Sequence, residues 1–247
     1  MRSTTLFALL IGVTSCQQTP APQPSAKSFP VGWSSAALEL AANENPTAAF
    51  AKPLEDAFEV RKGKDKATAN NCASVLRVLA EGFQPPSDRD FQVFLVNALR
   101  CRALEVLAQA KPAQESFLTD FHLETSSLNM LPAALASAVS GDQEAARKQA
   151  MAKGRTWAAL EPDAKVLAEK TGEHNTMSLE VDSGAFGQRL EVIAHGDFDG
   201  DGIEDWLITD DTFARQGSYR ASRMLLVTRS GTTEPLRVIR ELNPGQR

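Results

Sequence analysis

The chain has 247 residues, 43% of them hydrophobic and 23% charged, with a formal net charge of -5 and 3 cysteines. Five acids fall in one short stretch, Asp197, Asp199, Asp201, Glu204 and Asp205, so the rest of the chain is balanced and lacks the basic footprint that a nucleic-acid partner requires. Beyond the N-terminal leader and linker about 215 residues remain, enough for a real core in one domain or two small ones.

Met1-Arg2 and the apolar run Leu6 to Val13 have the charge, length and small-residue exit of a secretory signal peptide over residues 1–15, too short to span a bilayer. The run ends in Val13-Thr14-Ser15-Cys16. These residues resemble the lipobox of bacterial lipoproteins, and the resemblance implies cleavage before Cys16, lipidation of its sulfur and acylation of the new amino group. More than one chain is what stable anchoring needs, at about 0.8 kcal/mol per buried methylene. The mature protein would then be tethered to a membrane without crossing it. Gln17, and not aspartate, follows the cysteine; by the same resemblance this favours the outer membrane of a Gram-negative cell, with its periplasmic or surface face left open. The other reading is an ordinary cleaved signal with an incidental cysteine. Residues 16–32 are polar and proline-rich, and read as a semi-extended tether that could hold the folded part some tens of ångströms from the membrane.

Residues 33–170 read as a helical, alanine-rich region. Short helices are expected over Ser34–Ala42 and Pro53–Val60, separated by the turn at Asn43–Pro46. An amphipathic helix is expected over Asn71–Gly82. Ser87-Asp-Arg-Asp90 after Pro85-Pro86 resembles a capping box opening the longest helix, which runs to about Ala110. Further helices are expected over Ser126–Val139 and Asp142–Lys153, with Gly154 as a C-terminal cap. Phe91, Phe94, Leu95, Leu99 and Leu107 recur at helical spacing and belong to a packed core. Lys62-Gly-Lys64-Asp-Lys66 reads as a solvated loop between helices.

Cys72 shares a helical face with Val75, Leu76 and Leu79, and Cys101 shares one with Phe94, Ala98 and Leu104, so both thiols point to a seam between helices. In an oxidising compartment, with Cys16 lipidated, these two are expected to form a disulfide. Free buried thiols and a redox pair are the alternatives, the latter without the close C-x-x-C spacing.

From residue 171 the period changes from helical to alternating. Met177–Val181, Arg189–Ala194, Trp206–Ile208, Arg223–Arg229 and Pro235–Ile239 read as strands, joined across turns such as Ser230-Gly231. The expected fold class is α+β: a four- or five-stranded, largely antiparallel sheet over 171–247, one face covered by the helical region because a small sheet cannot stand alone. Arg215, Arg220, Arg223, Arg229, Arg237 and Arg240 read as a solvent-facing side of that sheet, with an anion-binding face as the other reading.

The most specific chemistry lies in Asp197-Phe-Asp199-Gly-Asp201-Gly202-Ile203-Glu-Asp205. Carboxylates at this spacing repel one another unless a hard cation sits among them. A calcium loop takes side-chain oxygens from positions 1, 3, 5 and 9 and a carbonyl from position 7, with glycine at position 6 for the sharp turn. Those positions are Asp197, Asp199, Asp201, Asp205, Ile203 and Gly202. The stretch Ala194 to Ile208 closely resembles the calcium loop of an integrin-type FG-GAP, or VCBS, repeat, in which the loop joins two strands of a propeller blade. The resemblance implies that Asp197, Asp199, Asp201, Asp205 and the Ile203 carbonyl bind calcium. A single copy stands here, whereas a propeller needs about four or more blades. Position 12 is Ile208, which argues against an EF-hand switch. An acidic turn without metal is the alternative.

His122, His174 and His195 stand in unrelated contexts, and no nucleophile elbow, H-E-x-x-H, metal-binding C-x-x-C or phosphate loop occurs. His195 adjoins the acidic loop and could act as a base in a calcium-assisted hydrolase, but a residue at a strand end is the simpler reading. The chain is therefore expected to be a non-catalytic, lipid-anchored calcium-binding lipoprotein that binds or helps assemble envelope proteins. A periplasmic inhibitor or immunity-type lipoprotein is the alternative.

Overall fold

The computed structural model describes residues 28–40, 44–171 and 177–243. The signal peptide, Cys16, the tether up to residue 27 and His174 lie outside the described residues. Strand β1 (Gly32–Trp33) is followed by helix α1 (Pro46–Ala51), strands β2 (Pro53–Lys62) and β3 (Asp65–Asn71), and helices α2 (Cys72–Ala80) and α3 (Asp88–Gln109). Two 3-10 turns, Thr125–Asn129 and Ala133–Leu135, lead to helices α4 (Gly141–Ala152) and α5 (Trp157–Leu160). Strands β4 (Lys165–Thr171), β5 (Met177–Asp182), β6 (Phe186–Gly196), β7 (Asp205–Ala214), β8 (Arg220–Thr228) and β9 (Arg237–Leu242) complete the order. The architecture is α+β, with N-terminal helices packed against a C-terminal antiparallel sheet that carries the acidic loop.

Helices α2 and α3 form where their apolar spacing expects them. Asn71 and Ser87 precede them in extended conformation and accept the N–H groups of Ser74 and Asp90, satisfying donors that a first helical turn leaves open. Val75 and Val78 from α2 meet Phe94, Ala98 and Leu104 from α3 in one core. Cys72 and Cys101, each 1% exposed, are joined there as a disulfide with Cα atoms 5.0 Å apart.

Elsewhere in this half the periodicity misleads. Pro53–Val60 is strand and not helix: Leu54, Phe58 and Val60 turn inward while Glu55, Ala57 and Glu59 stay exposed, a two-residue period. β2 pairs with β3 across Gly63-Lys64, so the lysine-rich stretch is a hairpin tip, not a loop between helices. Ser126–Val139 holds only the two short 3-10 turns, because Pro132 stands mid-segment, where it removes an N–H and crowds the preceding turn. Ser35–Glu39 form turns closed by Leu38 N–H to Ser34 O at 3.2 Å and Leu40 N–H to Ser35 O at 2.8 Å. Glu39, at φ 51, ends any continuation as a right-handed helix. Phe29 to Trp33, at the end of the proline-rich tether, are part of the fold. Phe29 exchanges two 2.9 Å hydrogen bonds with Ala113, and Gly32 and Trp33 pair with β6.

The main sheet runs β4-β5-β6-β7-β8-β9, with β1 added at the end of β6. It is wider than expected because two strands, β1 and β4, join it. Both faces of its centre are covered, not one. Ile193, Leu207 and Leu226 face the helical core, while Leu190, Trp206, Ile208, Leu225 and Val227 face a second core closed by Leu118, Leu131, Leu135 and Trp157. Two of the arginines turn inward. Arg223 meets the fully buried Asp210 carboxylate at 2.6 Å. Arg229 donates to Glu234 O at 2.8 Å and to the carbonyls of Phe117 and Thr232, with its guanidinium 4.9 Å from the centre of the Phe121 ring. Arg220, Arg237 and Arg240 are exposed.

Candidate metal centre

The acidic loop is the turn between β6 and β7, whose last ladder pairs are His195 with Trp206 and Gly196 with Asp205. Two left-handed residues, Gly200 at φ 87 and Gly202 at φ 86, let the chain reverse within the loop. The aspartates hold this turn themselves. Asp197 Oδ1 accepts Gly200 N–H at 2.6 Å and its Oδ2 accepts Gly202 N–H at 3.1 Å, while Asp199 and Asp201 accept the N–H groups of Asp201 and Ile203 at 3.1 and 2.8 Å. Phe198 packs against the helical core and donates its N–H to Asp205 Oδ2 at 3.0 Å.

One oxygen from each of Asp197, Asp199 and Asp205 lies within 4.8 Å of the other two. Asp197 and Asp205 are buried, at 5% and 0% exposure. Asp205 Oδ1 is buried without a hydrogen-bond partner; the Thr228 hydroxyl biases its charge but makes no hydrogen bond of normal geometry. Burial pushes the Asp205 carboxyl up to about 6, and the Asp199 and Asp201 carboxylates add to the rise, against the Phe198 N–H and the Thr228 hydroxyl. An orphaned carboxylate oxygen in an all-oxygen donor set fits a hard cation of the calcium type. Asp201 is exposed and stands outside the convergent three, and Ile203 is half-buried and bridged to Glu115.

A segment that sequence reasoning missed braces the loop from outside. Residues 111–116, the strap leaving α3, run along it: Lys111 and Asp197 exchange backbone hydrogen bonds of 3.0 and 2.9 Å. Gly202 O accepts from Gln114 N–H and Glu115 N–H at 2.8 and 3.1 Å, and Glu204 N–H donates to Glu115 O at 2.8 Å. The Glu204 side chain, also buried, accepts from Ser116 Oγ and lies 3.1 Å from His195 Nδ1. Burial works to raise the Glu204 carboxyl, but these two contacts hold it below the usual carboxylate value. The far side of the His195 ring lies against β1, where a Cβ on Gly32 would stand 2.3 Å from Nε2. A side chain at that position would have to displace the imidazole or the strand. No local pattern announces a contact between residues 88 positions apart; only the apolar neighbours of Glu204, Ile203 and Trp206, hint that its carboxylate is buried. His122 is exposed, beside a cavity of about 340 Å³ lined also by Ser116, Asp120 and Arg229.

No protein-family model matches the chain, and comparison with curated proteins and with solved structures finds no match.

Proposed function

We propose that this protein is a lipid-anchored, extracytoplasmic calcium-binding module that performs no catalysis and binds or helps to assemble other envelope proteins. The observation that carries the calcium reading is Asp205, whose buried Oδ1 has no hydrogen-bond partner and whose carboxyl shares a cluster with Asp197 and Asp199. A divalent cation would supply the missing partner, and oxygen-only donors favour calcium over softer metals. Asp201 and the Ile203 carbonyl complete the set that the FG-GAP-like spacing implies. With calcium bound, the loop is stiffened against the strap, so the ion braces the helical half against the sheet. Affinity in the range of about 10⁻⁴–10⁻³ M suits an extracytoplasmic module.

Anchorage rests on the lipobox resemblance at Cys16, and the outer membrane on Gln17. The non-catalytic reading is supported by His195, whose Nε2 side packs against Gly32 of β1; its Nδ1 contact with Glu204 would by itself equally suit a catalytic imidazole. A hydrolase would need Nε2 open to substrate to move a proton.

Calorimetric titration of calcium into residues 17–247, with thermal unfolding in calcium and in chelator, tests the metal. One ion bound with a raised Tm is expected; absence of both heat and shift overturns it. Pull-down from envelope extract tests the partner half. Several envelope components are expected, a single tight enzyme partner assigns an inhibitor or immunity-type role instead, and no partner overturns both.

A further inference from the structure

We propose that the groove between α3 and the outer edge of β2 captures an extended, basic peptide segment of a partner protein by strand addition. The groove has a volume of about 960 Å³ and is lined by Leu54, Phe58 and Glu59 on the strand side and by Arg89, Val93 and Asn97 on the helix side. It shares no residue with the acidic loop or the strap.

The strand edge is open for a reason that can be followed residue by residue. Lys62 and Asp65 flank the two-residue turn Gly63-Lys64 and pair with each other, so Arg61 points its N–H and C=O away from β3. Gln84 takes both, with Arg61 N–H to Gln84 O at 2.8 Å and Gln84 N–H to Arg61 O at 3.0 Å. This edge therefore already accepts an added strand, one residue long. By the same alternation Glu59 presents its N–H and C=O on that side, and no backbone group among the described residues takes them. The residue that would continue the ladder opposite Glu59 is Pro86, which has no N–H and leads instead to the Ser87 cap of α3. Between Pro53 and Phe58 the register to β3 shifts as well, so Leu54–Ala57 have no steady partner on either side. Unpaired strand edge beside a helix is the geometry that binds extended peptides through their main chain, with alternate side chains in the groove.

Charge selects the occupant. Of the three cations lining the groove, Lys52 is paired with Glu44 and Arg100 with Glu39, both at 3.1 Å, and the third, Arg89, is outnumbered by Glu55, Asp56, Glu59 and Asp90. Along the strand, Glu55, Asp56 and Glu59 have no paired cation among the described residues. Val93, 49% exposed, is an apolar contact on the facing helix. An entering strand with lysine or arginine alternating with aliphatic residues satisfies the edge, the acids and the apolar wall together.

The proposal rests on the protein-binding part of the function above and on neither calcium nor the anchor. Its test is a titration of residues 17–247, followed by amide chemical shifts, with a synthetic decapeptide alternating lysine and valine. Saturable shifts at Ala57, Glu59 and Val93 are expected. They should vanish when alternate peptide nitrogens are methylated, and affinity should fall about fivefold or more in a Glu55→Lys, Asp56→Lys double variant, whose changes are on exposed side chains. Equal binding of a glutamate–valine decapeptide, indifference to methylation, or no shift up to millimolar peptide overturns the proposal. So does a concentration-dependent dimer that the double variant dissolves, which would make a second copy of this chain the occupant. Failure here with calcium binding and pull-down intact removes the groove alone; failure of the pull-down with peptide binding intact removes the envelope role alone.

Discussion

His195 Nδ1 lies 3.1 Å from Glu204 Oε1 while Ser116 Oγ donates to the other oxygen of the same carboxylate, so one buried acid ties the end of β6 to the strap that leaves α3. Glu204→Ala leaves a half-buried imidazole and a half-buried hydroxyl without this acceptor, a loss of about 1–2 kcal/mol. Urea unfolding should show that loss, and amide exchange should quicken over residues 111–118 well before it does in α2. Exchange that rises equally in both regions would mean that the acid acts on global stability and not on the strap.

Asp205→Asn should change sign with calcium. In chelator the variant removes a buried carboxylate oxygen that has no partner, so its Tm should equal or exceed that of the parent. In calcium the parent gains about 2.7 kcal/mol when the ion stands at about 100 times Kd, or about 5–10 °C for a chain of this size, and the variant forfeits most of it. Parallel melting curves in the two media would remove Asp205 from the ligand set.

The same carboxyl makes the calcium-free protein more stable in mild acid. Its folded-state value of about 6 stands above the ordinary 3.8, so the folded state holds the proton more tightly, and stability falls as pH rises through that interval. Glu204, held below its ordinary 4.5, has the opposite sign, but its contribution is lost only as pH falls below that value. Asp210 and Glu191, raised chiefly by burial, act in the same direction as Asp205. The measurement is therefore the difference between parent and Asp205→Asn in chelator at about pH 7 and about pH 5. The parent should gain more on acidification, and its calcium affinity should drop below about pH 6, where the proton competes for Asp205.

What could be read from the chain was local. Asp197, Asp199 and Asp205 sit at short fixed spacing, and the fold brings just those three together. Cys72 and Cys101 could be paired because each lies on a clear apolar helical face. The β2–β3 hairpin was hidden because Glu55 and Ala57 are good helix residues, Asp56 interrupts the alternation of Leu54, Phe58 and Val60, and the register shift there resets the period. Glu204 and Ser116 were hidden by distance along the chain, and β4 by exposure: Leu167, 49% exposed, gives an edge strand little apolar pattern to read.

The disulfide should contribute measurably to stability. It closes a loop with a sequence separation of 29, which in the chain-entropy model corresponds to about 3–4 kcal/mol. A Cys72→Ala, Cys101→Ala variant should unfold at correspondingly lower denaturant. Both cysteines are 1% exposed, so in residues 17–247 no thiol should react in the native protein, and two should appear after reduction in denaturant. A thiol that labels without reductant would contradict the bridge.

In the proposed lipoprotein, anchorage turns on one atom, the Cys16 sulfur. No helix among the described residues is long and apolar enough to cross a bilayer. Two or three acyl chains at about 0.8 kcal/mol per buried methylene make release negligible; none makes it complete. Cys16→Ser should therefore move the protein from the membrane pellet to the soluble fraction, with its calcium-dependent Tm shift unchanged because the acidic loop lies at the other end of the chain. Membrane association that survives the substitution in a chain whose leader has been removed would assign the attachment to a protein partner, and the lipid would drop out of the account.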